Sequence, residues 1–168
     1  MEINQLPKMN MDDSKTKCCP KFNPEGWDNK ELIFQDKLFV KAKTISFFHF
    51  PLNMGPMYKK ICAKVEKEKG FSKEYYLVLS YDPSPWRGEH YFAVEKDIPG
   101  EKMVKLSGTY LTKVFEGPYK DAGKWMKQMK DYVEFKGNEA KKIYFFYTTC
   151  PKCAKHYGKN YTVAIAQI

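Results

Sequence analysis

The chain has 168 residues and is 43% hydrophobic. It has enough apolar residues for one hydrophobic core, but it is too short for two domains of ordinary size. No stretch reaches the roughly 18 apolar residues that a membrane span needs, and the polar segment Met1–Lys17 lacks the apolar run of a secretion signal, so we expect a cytoplasmic protein with no membrane contact. The net charge of +9 comes from scattered lysines with Arg87 as the single arginine; because arginine is preferred for phosphate and guanine contacts, no nucleic-acid partner is expected.

The first 36 residues are rich in Pro, Asn and Lys and lack a periodic apolar pattern. They are predicted to form an N-terminal arm (1–36) that packs on a domain spanning 37–168. Within that domain, the apolar positions of Phe48–Gly70 and Phe115–Gly137 match at a constant offset. This self-similarity predicts an internal repeat, with repeat one at 37–96 and repeat two at 103–168.

Repeat one is predicted to contain a strand, a helix and two further strands. The strands are Leu38–Phe48, Tyr75–Tyr81 and Glu89–Glu95, all rich in β-branched and aromatic residues. Between the first two, apolar residues recur at helical spacing from Tyr58 to Val65, which predicts a helix with one apolar face. Gly70 is expected to end this helix in the left-handed conformation that favours glycine.

Repeat two follows the same order. Its predicted strands are Val104–Phe115, Lys142–Thr148 and Asn160–Ile168. The helix between the first two carries an apolar stripe that includes Trp125 and Met129, and Gly137 is expected to end it. The two β-α-β-β repeats are predicted to form an α+β domain whose antiparallel sheets pack on two helices around a pseudo-twofold axis, with a cleft between the repeats.

The strand-to-helix junction of repeat two reads Phe115-Glu116-Gly117-Pro118-Tyr119 and leads into a helix that carries Trp125 and ends at Gly137. Phe48–Pro51 is its counterpart in repeat one. These segments resemble the GyrI-like small-molecule-binding family, and the resemblance covers about residues 37–168. It implies a stand-alone domain with an aromatic cleft for apolar or cationic molecules and, in some members, a hydrolytic activity.

Seven side chains are predicted to line the cleft and bind the ligand: Phe48, His49, Trp86, Tyr91, Tyr119, Trp125 and Tyr144. Aromatic faces are favourable surfaces for apolar and cationic molecules. For Trp125 the alternative is a place in the core, because it belongs to the helix stripe. His49, flanked by phenylalanines, is alternatively a buried histidine with a backbone partner.

Family members that capture cations or hydrolyse substrates carry a carboxylate in the final strand, and Thr162 stands at the matching position here. Whether the protein is an enzyme is therefore left open. If it is one, we expect a small-molecule hydrolase with Glu89 or Glu116 as general base and Tyr147 as general acid, because attack by water requires both roles. Each glutamate is alternatively a solvated surface residue.

Four of the five cysteines form two clusters. Cys150-Pro151-Lys152-Cys153 has the spacing of two thiolates on one tetrahedral metal, and the adjacent pair Cys18-Cys19 is available to complete the site. A structural zinc is predicted, which would fasten the arm to the hairpin between the last two strands. Four of five groups would hold it: Cys18, Cys19, Cys150, Cys153 and His156.

The leading functional hypothesis is a protein that binds a small apolar or cationic molecule, with hydrolysis of that molecule left open. The alternative is a thiol- or metal-dependent redox protein that uses Cys150 and Cys153, since a strand followed by Cys-Pro-Xaa-Cys is typical of glutaredoxins. In glutaredoxins that motif is followed by a helix and several strands, whereas only a turn and one last strand are expected here. The oligomeric state is left open.

Overall fold

Six long strands and three helices form the body of the protein, as the computed structural model, which describes residues 2–168, shows. The strands are β1 (Glu31–Phe47), β2 (Phe50–Pro51, two residues beside the end of β1), β3 (Val78–Ser84), β4 (Arg87–Ala93), β5 (Met103–Glu116), β6 (Lys142–Tyr147) and β7 (Tyr161–Gln167). The helices are α1 (Met54–Lys67), α2 (Ala122–Phe135) and α3 (Pro151–Tyr157), with a 3₁₀ turn at Tyr119–Asp121.

The long strands are all antiparallel to their neighbours and close into a barrel. Their order is β1-β4-β3-β6-β7-β5, and β5 pairs back onto β1. Strand β1 pairs with both β4 and β5, and its register shifts between Phe34 and Lys37, where Asp36 has a φ of +50°; such a bulge bends a strand. The joint between β3 and β6 has the fewest registered residue pairs around the barrel, because only Ser80 and Phe145 are paired there.

Side chains alternate between the inside and the outside of this barrel, as the two-residue period of a strand requires. The inside holds one apolar cluster with many rings, among them Phe34, Phe39, Tyr91, Tyr110, Tyr144 and Phe146. Outside, α1 packs Ile61 and Val65 against one part of the sheet, and α2 packs Trp125 and Met129 against another. The predicted amphipathic stripes are therefore the faces that both helices bury.

The predicted α+β class, with an antiparallel sheet packed on helices, is confirmed. The order strand, helix, strand, strand occurs twice along the chain, as β1-α1-β3-β4 and β5-α2-β6-β7. The pseudo-twofold relation between these two units stays a prediction. None of the helices within residues 2–168 has the length and apolar character needed to cross a membrane.

The two helix ends use glycine for different reasons. Gly137 has a φ of +75° and fits the expected left-handed position. After α1, however, Lys69 takes the left-handed conformation, with a φ of +52°. Gly70 is needed for space instead, because an added Cβ would lie 2.6 Å from Ile98 Cδ1 and 3.2 Å from Val65 Cγ1.

The segment before β1 packs on the barrel. Leu6, Phe22 and Trp27 are buried in the interior cluster, and the ring centroids of Trp27 and Phe146 are 5.5 Å apart. Strand β1 begins at Glu31, so the last residues of the predicted arm belong to the sheet. The predicted boundary at 36 coincides with the bulge, where the apolar alternation is interrupted.

Candidate functional site

The predicted site residues fall into three places in the fold. Inside the barrel lie Glu89, Tyr91 and Tyr144; at an exposed rim lie Phe48, His49 and Trp86; and on the outer face beside α2 lie Tyr119, Trp125 and Tyr147. Glu116 stands apart from these groups, exposed at the end of β5. Only the first group places aromatic rings around a carboxylate.

We call this first group, completed by a further tyrosine, the inner cage: Tyr81, Glu89, Tyr91 and Tyr144. The ring centroids of Tyr81 and Tyr144 are 5.9 Å apart, and those of Tyr91 and Tyr144 are 5.8 Å apart at an interplanar angle of 90°. The Lys142 ammonium lies among the three rings, 4.0 Å from the centroid of Tyr81, 5.1 Å from that of Tyr144 and 5.6 Å from that of Tyr91. The cage thus already surrounds a cation with aromatic faces.

Glu89 supplies the negative charge of the inner cage. Its carboxylate accepts a 2.6 Å hydrogen bond from the Tyr91 hydroxyl and lies 2.9 Å from Lys41 Nζ and 3.9 Å from Lys142 Nζ. Partial burial by itself would raise the pKa of Glu89, but the Tyr91 hydrogen bond and the two lysines outweigh burial and lower it below the usual value. Glu89 is therefore ionised at neutral pH.

The charged form of Lys142 is less well stabilised than that of Glu89. Burial lowers its pKa, and the charge of Lys41 lowers it further, while Glu89 acts in the opposite direction. The inner cage therefore contains two ammonium groups for one carboxylate.

Strand alternation brings these residues together. Glu89 and Tyr91 are two apart on β4, Lys142 and Tyr144 are two apart on β6, and Tyr81 of β3 is registered with Glu89. The sequence analysis missed Lys41, Tyr81 and Lys142. Lys142 could have been found, because the same two-residue spacing that places Tyr144 inside also places Lys142 inside.

The rings of the inner cage are packed together and do not line an open cleft. Tyr91 is 4% and Tyr144 2% exposed. Two surface concavities, of about 360 and 400 Å³, lie beside the arm and beside α1, and neither is lined by a residue predicted to bind the ligand. A ligand therefore has to displace a side chain to reach the cage.

The rim group is exposed and aromatic. The ring centroids of Phe48 and Trp86 are 5.0 Å apart, and those of Phe47 and Phe48 are 4.8 Å apart. His49 is exposed, with Nδ1 3.3 Å from an Asp82 carboxylate oxygen, so the alternative of a buried His49 is wrong. Phe48 and His49 both have a positive φ, of 47° and 66°, and the flanking Phe48 and Phe50 are themselves exposed, so they do not bury His49.

On the outer face, Trp125 has the core position that the helix stripe offered as its alternative. It is 4% exposed and stacks on Phe115 with 5.8 Å between centroids. Tyr119 and Tyr147 form an edge-to-face pair at 5.7 Å, and burial, with the charge of Asp82, raises the pKa of Tyr147. Among the described residues, no hydrogen bond or ring contact links Tyr147 to Glu89.

A buried histidine that the sequence analysis did not consider lies next to the cage strand. His90 Nδ1 is 2.9 Å from Ser80 Oγ, and His90 Nε2 is 3.0 Å from Thr44 Oγ1. Burial lowers the pKa of His90 to about 4, although Glu89 opposes the shift. Since His90 is 1% and Ser80 6% exposed, this serine–histidine pair is shielded from solvent.

The four clustered cysteines converge, although they come from opposite ends of the chain. The Sγ atoms of Cys18, Cys19, Cys150 and Cys153 all lie within 4.8 Å of one another, and His156 is not part of this group. The backbone N–H of Cys150 donates to Cys19 Sγ at 3.4 Å. The arm is thereby brought against the loop that follows β6.

The Cys-Pro-Lys-Cys segment forms the start of a short helix, where only a turn was expected. α3 begins at Pro151, which suits the first helical position, and Gly158, with a φ of +73°, caps its C-terminal end. Burial would raise the pKa of Cys153, but hydrogen bonds with Thr16 and the neighbouring cysteines lower it to about 7. The presence of this helix removes one part of the argument against redox chemistry. The other part, the position of the motif near the end of the chain, still holds.

Comparison with known proteins defines the family. The family described as "Bacterial hydrolase" matches residues 9–168. SAV2435, solved bound to tetraphenylphosphonium, has a similar structure, with a TM-score of 0.51 at 11% identity over 83% of this chain and 93% of that one. No curated protein sequence matches. These findings confirm the resemblance to GyrI-like proteins, and the chain belongs to the bacterial hydrolase family.

Proposed function

We propose that this protein binds a small organic cation in the inner cage, where the two halves of the barrel meet. The observation that carries the proposal is the arrangement of three tyrosine rings and the Glu89 carboxylate around an ammonium group. The neighbour of similar fold, SAV2435, was solved with a bulky organic cation, which supports the same ligand class here.

The energetics favour a cation over a neutral apolar molecule. Each ring face contributes roughly 0.5–2 kcal/mol to a nearby cation, and Glu89 contributes a carboxylate charge that is shared at present with Lys41 and Lys142. Its side chain is 18% exposed, so water screens this charge less than at the open surface. Of the two predicted ligand classes, the contacts around the cage therefore favour the cationic one.

The place of the cage supports binding between two repeats. Tyr81, Glu89 and Tyr91 belong to the first unit, whereas Lys142 and Tyr144 belong to the second. The thin joint between β3 and β6 crosses this same region, with its single registered pair. We therefore propose that the two units are related by a pseudo-twofold axis and that the ligand enters along their joint.

Isothermal titration with tetraphenylphosphonium tests the proposal. We expect wild-type protein to bind, and Glu89→Gln to weaken binding about tenfold or more because the carboxylate charge is lost. Triphenylphosphine oxide, a neutral compound of similar shape, should be insensitive to this change, and Glu134→Gln on the exposed face of α2 is the matched control. Equal affinity of wild type and Glu89→Gln for the phosphonium would refute the cage as the cation site.

Hydrolysis is the second candidate function, supported by the family to which the chain belongs. We propose Glu89 as the general base, since it is ionised and lies against the proposed ligand position, whereas Glu116 and Tyr147 lie outside the cage. Acetylthiocholine, a cationic ester, is a suitable probe. Turnover by wild type that is lost in Glu89→Gln at unchanged folding would support this role, and turnover that persists would exclude it.

We also propose that Cys18, Cys19, Cys150 and Cys153 hold a structural zinc ion. Two thiolates on one tetrahedral zinc are about 3.8 Å apart at a Zn–S distance of roughly 2.3 Å, and the Sγ atoms of Cys18 and Cys19 are 3.7 Å apart. The thiol set would fasten the arm to the segment between β6 and β7.

Metal analysis combined with thiol titration separates zinc from redox chemistry. We expect one zinc per chain in wild type, loss of zinc in Cys150→Ser, and full retention in Cys62→Ser, which lies on α1 away from the cluster. A metal-free protein that forms a reversible Cys150–Cys153 disulfide would instead establish the redox alternative.

A further inference from the structure

We propose that the Lys142 side chain is a built-in occupant of the cation site, which an incoming alkylammonium ligand displaces. This inference rests on the proposed function of the inner cage and adds both the class of ligand and the group that competes with it. The Lys142 ammonium holds the central position, within 4.0–5.6 Å of three ring centroids and 3.9 Å from a Glu89 oxygen. These are the contacts that a bound cation requires.

The chemistry of the occupant indicates the ligand. Lys142 presents a primary ammonium group at the end of an unbranched four-carbon chain, so the cage in its closed state fits an alkylammonium group. Such a ligand donates hydrogen bonds to Glu89 as lysine does, and its hydrocarbon part can pack against the tyrosines. We therefore expect small primary alkylammonium compounds to be ligands, in addition to bulkier cations.

Displacement of Lys142 leaves the remaining charges satisfied. Glu89 keeps its 2.9 Å contact with Lys41 and its hydrogen bond from Tyr91. Lys142 itself is 26% exposed, so its flexible chain can turn toward water without crossing the core.

A second inward lysine shows the opposite arrangement and provides a control. Lys37 Nζ lies 4.7 Å from the centroid of Tyr75, but it also donates to the Tyr75 hydroxyl at 2.9 Å and to the Asn4 carbonyl at 3.3 Å. The arm therefore holds Lys37 in place, and Lys37 is only 6% exposed. Among the described residues, Lys142 has no such hydrogen bond, and its Nζ lies 3.9 Å from a Glu89 oxygen.

The test compares wild type, Lys142→Met and Lys37→Met by isothermal titration with n-butylammonium and with tetraphenylphosphonium, after circular dichroism has shown that each variant is folded. We expect Lys142→Met to bind both probes at least tenfold more tightly than wild type, because the competing cation is gone. Lys37→Met should bind as wild type does. The double variant Glu89→Gln, Lys142→Met should lose the gain.

The outcomes separate this inference from the function on which it rests. If wild type binds tetraphenylphosphonium and folded Lys142→Met binds neither probe more tightly, the built-in occupant is refuted and the cation site stands. If wild type and Lys142→Met both fail to bind either probe at millimolar concentration, the cation site and its occupant are both refuted. Binding by Lys142→Met alone supports both.

Discussion

His90 shows how a single buried side chain makes the fold sensitive to acid. It stays neutral between Ser80 and Thr44 until the pH falls to about 4, whereas a histidine in the unfolded chain takes up a proton near pH 6.5. The unfolded state therefore binds more protons in this window, and stability is lost as the pH falls from about 6.5 to about 4.

We expect this one group to remove up to about 3 kcal/mol of unfolding free energy across that window. His90→Gln should flatten this part of the profile, although it also lowers stability at neutral pH through altered hydrogen bonds. Urea denaturation at a series of pH values measures the effect. The exposed His156→Gln is the control, and an equal slope in wild type and His90→Gln would contradict the assignment.

Gly70 and Gly55 make a matched pair of glycines around α1. A methyl group at Gly70 would overlap Ile98 and Val65, so Gly70→Ala should destabilise by about 1–3 kcal/mol. Gly55 lies in the first turn of α1 with open space around its Cβ position, so Gly55→Ala should be neutral or stabilise by up to about 1 kcal/mol. Thermal unfolding of both variants measures the difference, and a Gly70→Ala protein as stable as wild type would show that Ile98 moves aside.

At the level of elements, the arm has two regions of contact with the barrel. Leu6, Phe22 and Trp27 are buried in the core, and Cys18 and Cys19 lie beside Cys150 and Cys153, where the proposed zinc would fasten the arm. The lysines between these anchors are mainly exposed. Loss of one anchor should therefore release the middle of the arm first.

Limited trypsin digestion tests this dependence. With metal present, we expect the arm to resist cleavage, and after treatment with a chelator we expect rapid cleavage within residues 15–21 while the barrel remains intact. Cys19→Ser should behave as the chelated protein, and Cys62→Ser as the wild type. Cleavage that is independent of metal would show that the apolar anchors alone hold the arm.

The elements that the sequence predicted well are those with a clear period. The apolar stripes containing Val65 and Trp125 defined α1 and α2, and the alternation of apolar residues located six strands. The start of β1 was missed because the bulge at Asp36 interrupts the alternation. Helix α3 was missed because seven residues are too few to show a helical period.

For the whole molecule, closure of the barrel is uneven. Strand β1 shares eight registered residue pairs with β5, from Glu31–Leu111 to Val40–Met103, whereas Ser80–Phe145 is the single pair between β3 and β6. Local opening occurs where few backbone hydrogen bonds must break. We therefore expect the barrel to open first between β3 and β6.

Native-state hydrogen exchange measured by NMR checks this expectation. Amides of β3 and β6 that face the joint should exchange at least tenfold faster than amides shared by β1 and β5. A saturating cationic ligand should slow the exchange at the joint if it binds between the two units. Uniform protection around the barrel would contradict both the weak joint and the proposed route of entry.

The candidate site was predictable only in part, because its assembly depends on this closure. Tyr91 and Tyr144 were predicted from residue type, and Glu89 as a possible base. That they meet around Lys142 follows from the pairing of strands distant in sequence, which a local pattern does not contain. Phe48 and Trp86 share an exposed rim, and their predicted role as ligand contacts stays a prediction.

Closure has a further consequence for how the purified protein will behave in storage. Because β1 and β5 pair with each other, the sheet has few free edges onto which a second molecule could add a strand, and this protects even an aromatic-rich chain from fibril growth. Separation at Ser80 and Phe145 would uncover two such edges at once. In warm or concentrated solutions we therefore expect aggregation to start from molecules in which β3 and β6 have separated. Conditions that keep these two strands paired should extend the shelf life.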